Sequence, residues 1–160
     1  VEALLTDAQN DMRVLLLHLR PTELENKTLQ EGLQMILKEL TDKSNIRVVY
    51  KDMVKKVPKR IEDNLFRIAQ EFISNTLKHA KASQIEVYLY QNSQEIQLKM
   101  LDNGVGFDLN ASTDEMSYGL KNIQERVDEM AGTVQFLSAK GKGTSIDVRV
   151  PILRGEDNVE

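Results

Sequence analysis

Apolar residues at alternating spacings of four and three begin the chain. The positions are Val1, Leu5, Ala8, Met12, Leu15 and Leu19. This spacing is typical of the seam of a coiled coil or helical bundle. Pro21 then ends the helix, because proline cannot continue the backbone hydrogen bonds. The pattern predicts a helix severed from its bundle, and the start on Val1 suits an excised piece.

Three further helices are predicted by apolar residues at helical spacing. The first carries Leu29, Leu33, Ile36, Leu37 and Leu40, and Thr28 with Glu31 forms a capping-box pattern before it. The second runs from Pro58 to about Ala80, with Ile61, Leu65, Ile68 and Phe72 on one side. The third runs from about Gly119 to Met130 and is ended by Gly132.

Alternating segments predict the strands. Residues 84–90 and 94–101 alternate around a polar turn and indicate a hairpin, while 46–50, 133–137 and 144–150 add further strands. Residues 103–118 have no sustained period, and 154–160 form a polar, frayed tail. The pattern as a whole predicts an α+β fold with a mostly antiparallel sheet.

Composition narrows the classes of protein. The 160 residues suit one globular domain with an appended element, at 41% hydrophobic and 29% charged residues. The net charge of -4 argues against nucleic-acid binding, which needs a basic surface. Cysteine is absent and histidine occurs twice, which excludes thiolate sites and disfavours a histidine metal site. No apolar run is long enough to predict a membrane span.

One polar stripe follows the long second helix. Glu71, Asn75, Lys78 and His79 fall within about a quarter of the circumference at 100° per residue. The opposite side is apolar, so the helix presents the stripe toward a cleft. Taken alone, such a stripe is more often a solvated face with ion pairs.

A carboxylate and two glycines follow the hairpin. The segment reads Asp102-Asn103-Gly104-Val105-Gly106, and glycine lets the backbone approach a flat ligand closely. A tight turn explains the first three residues equally well, but the second glycine and the long loop exceed what a turn requires.

Two glycine motifs lie farther along the chain. Gly119 and Leu120 stand at the predicted start of a helix, where free N–H groups and the helix dipole favour phosphate. Gly141, Gly143 and Thr144 lead into the last strand, and by themselves they also fit a plain turn.

In this order the motifs resemble the family that unites sensor histidine kinases, DNA gyrase and Hsp90-type ATPases. Residues 75–80, NTLKHA, and 119–126, GLKNIQER, are similar to the histidine kinases whose regulators have helix-turn-helix outputs, and to cell-envelope-stress sensors among them. The resemblance covers residues 12–152. It implies a two-layer α/β sandwich of the Bergerat type, with a mixed sheet under three helices.

Domain boundaries also follow from the resemblance. Residues 1–21 would be the end of the second dimerisation helix, 22–153 the catalytic ATP-binding domain and 154–160 a flexible tail. Residues 107–118 would form a mobile lid over ATP.

The resemblance implies a role for each motif residue. Asp102 would accept a hydrogen bond from the adenine amino group, with Thr144 supporting it through water. Asn75 would bind Mg²⁺ through its amide oxygen. Glu71 would either support the direct ligands from outside or orient a water. Lys78 and His79 would face the phosphates. Gly104 and Gly106 would let the base and the lid backbone approach, and Gly119 and Leu120 would bring N–H groups to the phosphates. Gly143 would belong to the ATP-binding site with Thr144.

The implied reaction is transfer of the ATP γ-phosphoryl group to a histidine on a dimerisation domain, then to an aspartate of a response regulator. The parent would be a homodimeric, membrane-anchored sensor kinase with this domain in the cytoplasm. The usual acceptor motif, Glu-Leu-His-Asp, is absent, so we expect no self-phosphorylation, and we assign His18 to packing or solvent. A gyrase-type hydrolase and a nucleotide-controlled interaction module remain open alternatives.

Overall fold

The computed structural model describes residues 26–110 and 114–153. The predicted N-terminal seam, His18 and the tail 154–160 lie outside this part of the chain. Within it the helices are α1, Leu29–Lys43; α2, Lys59–Asn75; and α3, Asp114–Glu129. The strands are β1, Arg47–Met53; β2, Gln84–Gln91; β3, Glu95–Asp102; β4, Thr133–Ser138; and β5, Thr144–Pro151.

The strands form one five-stranded sheet in the order β1-β2-β3-β5-β4. β1 pairs with β2 in parallel, whereas the pairs β2–β3, β3–β5 and β4–β5 are antiparallel. The predicted hairpin and the mostly antiparallel sheet are therefore confirmed. The three described helices and this mixed sheet form the expected α+β sandwich.

Strict alternation along the central strands builds the core. In β2 and β3 every second residue is fully buried, among them Ile85, Leu89 and Leu98. They join the apolar sides of all three helices in one cluster. Burying one such side chain contributes about 1.5–3 kcal/mol, so this cluster is the main stabilising feature of the sandwich.

Helix α1 begins with the predicted capping box. The backbone N–H of Glu31 donates to the Thr28 hydroxyl, and the Glu31 carboxylate accepts from the Thr28 N–H, both at 3.2 Å. This reciprocal pair satisfies backbone donors that the first helical turn leaves open.

Helix α2 differs from the prediction at its C-terminal end. The α-helix stops at Asn75, and Thr76–Ala80 continue it as a single π-helical turn, after which Lys81 adopts a left-handed backbone with φ 49°. A π turn holds more residues than an α turn, and such turns are often found at functional sites. It changes which side chains after Asn75 share a face.

The predicted start of the third helix at Gly119 is wrong, because α3 begins five residues earlier at Asp114. Residues 114–118 of the expected lid are thus helical. Within this added turn Met116 is 7% exposed and extends the apolar stripe of Leu120, Ile123 and Val127. Among the described residues no helix combines the length and hydrophobicity that crossing a membrane requires.

Candidate functional site

The predicted motifs converge at one end of the sheet. Asp102 is the last residue of β3, and the antiparallel register places it directly opposite Thr144, the first residue of β5. The π turn that continues α2 lies beside the end of β3, since the Val105 N–H donates to the Ala80 carbonyl at 2.7 Å, and residues of this turn line one cavity with Asp102 and Thr144. Asp102, Thr144 and the NTLKHA segment therefore share one site.

Asp102 is buried, with 8% of its surface exposed, and both carboxylate oxygens accept hydrogen bonds. Oδ1 accepts from the Gly104 N–H at 2.9 Å, and Oδ2 lies 3.0 Å from the Thr76 hydroxyl. The Asn103 side-chain oxygen accepts from the backbone N–H groups of Ser83 and Gln84, which fixes the loop to the start of β2. The segment 102–106 is therefore a hydrogen-bonded loop that fixes the Asp102 carboxylate in place. The interpretation as a simple hairpin turn is wrong.

A cavity of about 80 Å³ opens beside Asp102. Its walls are mainly apolar and come from α2, α3 and the sheet, with Phe72, Phe107, Met116, Leu120, Ile123 and Ile146 among them. Its polar groups are Asp102, Thr76, Asn75, His79 and Thr144. An apolar slot with a few converging polar groups suits a flat heteroaromatic ring that has a polar edge.

A larger polar groove of about 460 Å³ lies between α2 and α3. Arg67, Lys78 and Arg126 line it together with Glu71, so cations outnumber carboxylates among its lining residues. Asn75 and Ile123 line both the groove and the apolar cavity, which makes the two spaces neighbours. A ligand with an aromatic base and an anionic tail matches this division.

The residues of the predicted polar stripe line two neighbouring spaces. Glu71, Asn75 and Lys78 line the polar groove, whereas His79 lines the apolar cavity with Asp102. The expectation that His79 accompanies Lys78 at the phosphates does not fit this placement. A rotation of 100° per residue applies only to an α-helix. After Asn75 the backbone forms a π turn, so this rotation does not hold for Lys78 and His79.

Three of the motif glycines allow backbone segments to meet at the site. A Cβ on Gly104 would overlap the Ala80 carbonyl, one on Gly106 the Ala139 carbonyl, and one on Gly143 the Asp102 carbonyl. Gly106 and Gly143 also have positive φ, at 63° and 72°. In this structure the glycines are thus required by contacts within the protein, which position Asp102 and the surrounding loops.

Gly119 and Leu120 lie inside α3, so the premise of free helix-start N–H groups is not met in this conformation. Gly119 instead faces α2. A Cβ there would stand 2.5 Å from Glu71 Oε1 and 3.1 Å from Asn75 Nδ2, so these two side chains converge at Gly119. Leu120 lines the apolar cavity.

The donor set fits Mg²⁺ bound together with phosphates. The described residues contain no group of three or more His, Asp or Glu side chains able to hold a metal. Mg²⁺ keeps several waters and commonly takes only one or two protein oxygens plus those of the substrate phosphates. The Asn75 amide and the Glu71 carboxylate, which meet beside Gly119, could provide such oxygens.

Several site residues escaped the sequence analysis. Thr76, Phe107 and Met116 line the cavity, and Arg67 and Arg126 line the groove. Thr76 was detectable, because it lies four residues after Phe72 and next to Asn75 on the same helix. Met116 was also detectable, as the residue four positions before Leu120.

Comparison with known proteins finds a matching family and several relatives of this chain. Residues 60–154 match the family described as histidine kinase-, DNA gyrase B-, and HSP90-like ATPase. The sensor histidine kinase LiaS of Bacillus subtilis (strain 168) is 44% identical over 98% of this chain and 43% of its own length. The sensor protein VraS of Staphylococcus aureus (strain COL) is 42% identical over the full chain and 46% of its own length. The chain thus spans less than half of these relatives.

Solved structures agree on the fold. The histidine kinase domain from the Erythrobacter litoralis EL346 blue-light activated histidine kinase superposes with a TM-score of 0.63, at 17% identity, over 81% of this chain and 64% of that one. The mycobacterial sensor histidine kinase MprB gives 0.58, at 17% identity, over 78% and 95%.

Proposed function

Because the chain belongs to the family of histidine kinase-, DNA gyrase B-, and HSP90-like ATPases, we propose that it binds Mg-ATP and donates the γ-phosphoryl group to a histidine of a dimerisation domain. The observation that carries the proposal is the apolar cavity with the buried Asp102, joined through Asn75 to a cation-lined groove. The relative LiaS, which is named as a sensor histidine kinase, favours this activity over others of the family.

Binding of the base follows from the cavity. The Asp102 carboxylate accepts from the 6-amino group of adenine, and the Gly104 N–H holds the carboxylate from the other side. Phe72, Ile123 and Ile146 contact the ring faces and exclude water. Each charge-assisted hydrogen bond of this kind contributes about 1.5–3 kcal/mol. Thr144, opposite Asp102 in the sheet, supports this edge of the cavity.

Binding of the phosphates takes place in the groove. Lys78, with Arg67 and Arg126, offsets the negative charge. The Asn75 amide oxygen and Glu71 would hold or orient Mg²⁺, which would supply positive charge to offset that of the phosphates. Gly119 and Leu120 can donate N–H groups only if the first turn of α3 opens. The residues of this site position the phosphates and compensate charge, which is most of what phosphoryl transfer requires.

The parent protein is proposed to be a membrane-anchored homodimer with this domain in the cytoplasm. Residues 1–21 would complete the dimerisation helix, 22–153 form the catalytic domain, and the phosphoryl group would pass to a cognate response regulator. The relatives LiaS and VraS, whose names describe sensor proteins, support this arrangement.

A transfer experiment in trans tests the proposal. The chain would be mixed with γ-labelled ATP, Mg²⁺ and the phosphoacceptor hairpin of the LiaS relative. We expect acid-labile label on the hairpin, no label on the chain itself, and loss of transfer with Asn75→Ala. Release of free phosphate without a labelled hairpin would indicate a gyrase-type hydrolase. Tight nucleotide binding with neither product would indicate a nucleotide-controlled interaction module.

A further inference from the structure

Thr76 lies at the junction of the features that define the site. It directly follows Asn75, begins the π turn, lines the cavity and is 2% exposed. It belongs to the NTLKHA segment, but the family resemblance implies no role for it. A buried hydroxyl must form hydrogen bonds to offset the cost of removing it from water, so its partners are informative.

The Thr76 hydroxyl has two acceptors within reach. Its Oγ1 lies 3.0 Å from the Phe72 carbonyl oxygen and 3.0 Å from Asp102 Oδ2. A hydroxyl carries one proton, so these acceptors compete for it. The Phe72 carbonyl lies four residues earlier on the same helix, whereas Asp102 belongs to β3. The bond to Asp102 therefore connects α2 to the buried carboxylate.

Asp102 is held from two sides when Thr76 donates to it. Gly104 N–H occupies Oδ1 and the Thr76 hydroxyl occupies Oδ2. An ionised carboxylate has about four lone-pair sites, so each oxygen still has capacity for a ligand donor. With both oxygens held, the remaining acceptor positions have a set direction. Without the hydroxyl, a buried oxygen would lose its partner and the carboxylate could rotate.

We propose that Thr76 is a specificity-determining positioning residue, whose hydroxyl orients Asp102 so that the site selects a purine with a 6-amino donor. The proposal rests on the proposed function, because it assumes that the cavity receives a purine nucleotide. A purine without that donor leaves the oriented carboxylate unsatisfied and binds more weakly. The preference for the amino group thus depends on Thr76 as well as on Asp102.

A simpler role for Thr76 would be helix packing alone. Threonine hydroxyls often bond to the carbonyl four residues earlier, and Thr41 does so with Leu37 at 3.0 Å on α1. Thr41 has no described bond to a carboxylate and lies on another helix. Thr41→Val therefore removes the same type of local bond away from the site, which makes it a matched control.

The experiment compares two ligands by calorimetry, each with Mg²⁺: ATP and purine riboside triphosphate, which lacks the 6-amino group. We expect the wild-type chain to prefer ATP by about tenfold, the ratio produced by one hydrogen bond worth 1.4 kcal/mol. Thr76→Val keeps the side-chain volume and should reduce this ratio to about twofold. Thr76→Ser restores the hydroxyl and should restore most of the preference. Thr41→Val should leave the ratio unchanged.

Thermal unfolding of each ligand-free variant separates folding from recognition. If Thr76→Val weakens both ligands by the same factor, or neither, while the wild type prefers ATP, the role is packing and the inference is overturned. If the wild type binds neither ligand, the proposed function itself fails. If it binds both equally, the site does not select the 6-amino group and the inference is overturned while ATP binding stands. A selective loss for ATP in a folded Thr76→Val protein supports the inference.

Discussion

Gly141 and Gly143 have similar backbone conformations in different surroundings. Both have positive φ, at 78° and 72°, which an alanine adopts at a cost of about 1–2 kcal/mol. A Cβ on Gly141 would meet nothing within 4 Å, whereas one on Gly143 would overlap the Asp102 carbonyl. Gly143 is therefore restricted both by its positive φ and by the nearby Asp102 carbonyl, whereas Gly141 is restricted only by its positive φ.

These surroundings predict a difference in stability. Gly141→Ala should lower the free energy of unfolding by about 1–2 kcal/mol, from the backbone alone. Gly143→Ala should lower it by about 3 kcal/mol or more, because the β3 end must also move. Urea unfolding of both variants measures this difference. Equal losses would contradict the close approach of Gly143 to Asp102.

Asn75 lines both the cavity and the groove, so its amide has a predicted role in metal dependence. Asn75→Ala should abolish the gain in ATP affinity that Mg²⁺ provides and leave the weak metal-free binding nearly intact, because water fills the open coordination position without fixed geometry. Titrations with and without Mg²⁺ measure this, with exposed Asn45→Ala as the control. An unchanged Mg²⁺ effect would assign Asn75 to a solvated face.

Residues identified from sequence are those to which the family resemblance assigns a role. Asp102 and Gly143 were identified because their motifs occur together in an order that resembles a known family, since each motif alone also fits a turn. Thr76 and Met116 were not, because threonine and methionine in helices are ordinary, and their importance depends on what β3 and α2 bring near them. That proximity exists only in the folded chain.

Element boundaries show a similar limit. The helices, the hairpin and the final strands were predicted from periodicity. The second helix does reach Ala80, but its last five residues form a π turn, and the predicted helix start at Gly119 is wrong. Both differences lie at the site. The π turn is compatible with the α-helical pattern of its sequence, and in the first turn of α3 the buried Met116 is an ordinary residue type that does not by itself predict a helix start.

The start of α3 yields a prediction at the scale of the element. Gly119 faces the side chains of Glu71 and Asn75, so a valine there would enter the space where the phosphates and Mg²⁺ are proposed to bind. Gly119→Val should weaken ATP binding by about tenfold and adenosine binding by about twofold or less, because the base lies in the other cavity. Competition titrations with both ligands measure the two losses. Equal losses would contradict the separation of base and phosphates.

On the scale of the whole molecule, the sequence pattern predicted the fold class. The family resemblance predicted how the elements are arranged and that the motifs meet. Alternation in β2, β3 and β5 predicts strands, yet the parallel pairing of β1 with β2 across α2 depends on packing between distant segments. The convergence of NTLKHA, Asp102 and Thr144 followed only from the family resemblance. The register of β3 and β5 then gives its physical reason.

The most direct test is calorimetric titration of the chain with Mg-ATP, in parallel with its Asp102→Asn variant. The amide retains the shape of the carboxylate but loses its charge and can present a donor to the 6-amino group. We expect saturable binding of one nucleotide by the wild type and affinity lower by at least about tenfold in the variant, provided its unfolding midpoint is unchanged. Equal affinities in the two folded proteins would contradict the placement of adenine at Asp102.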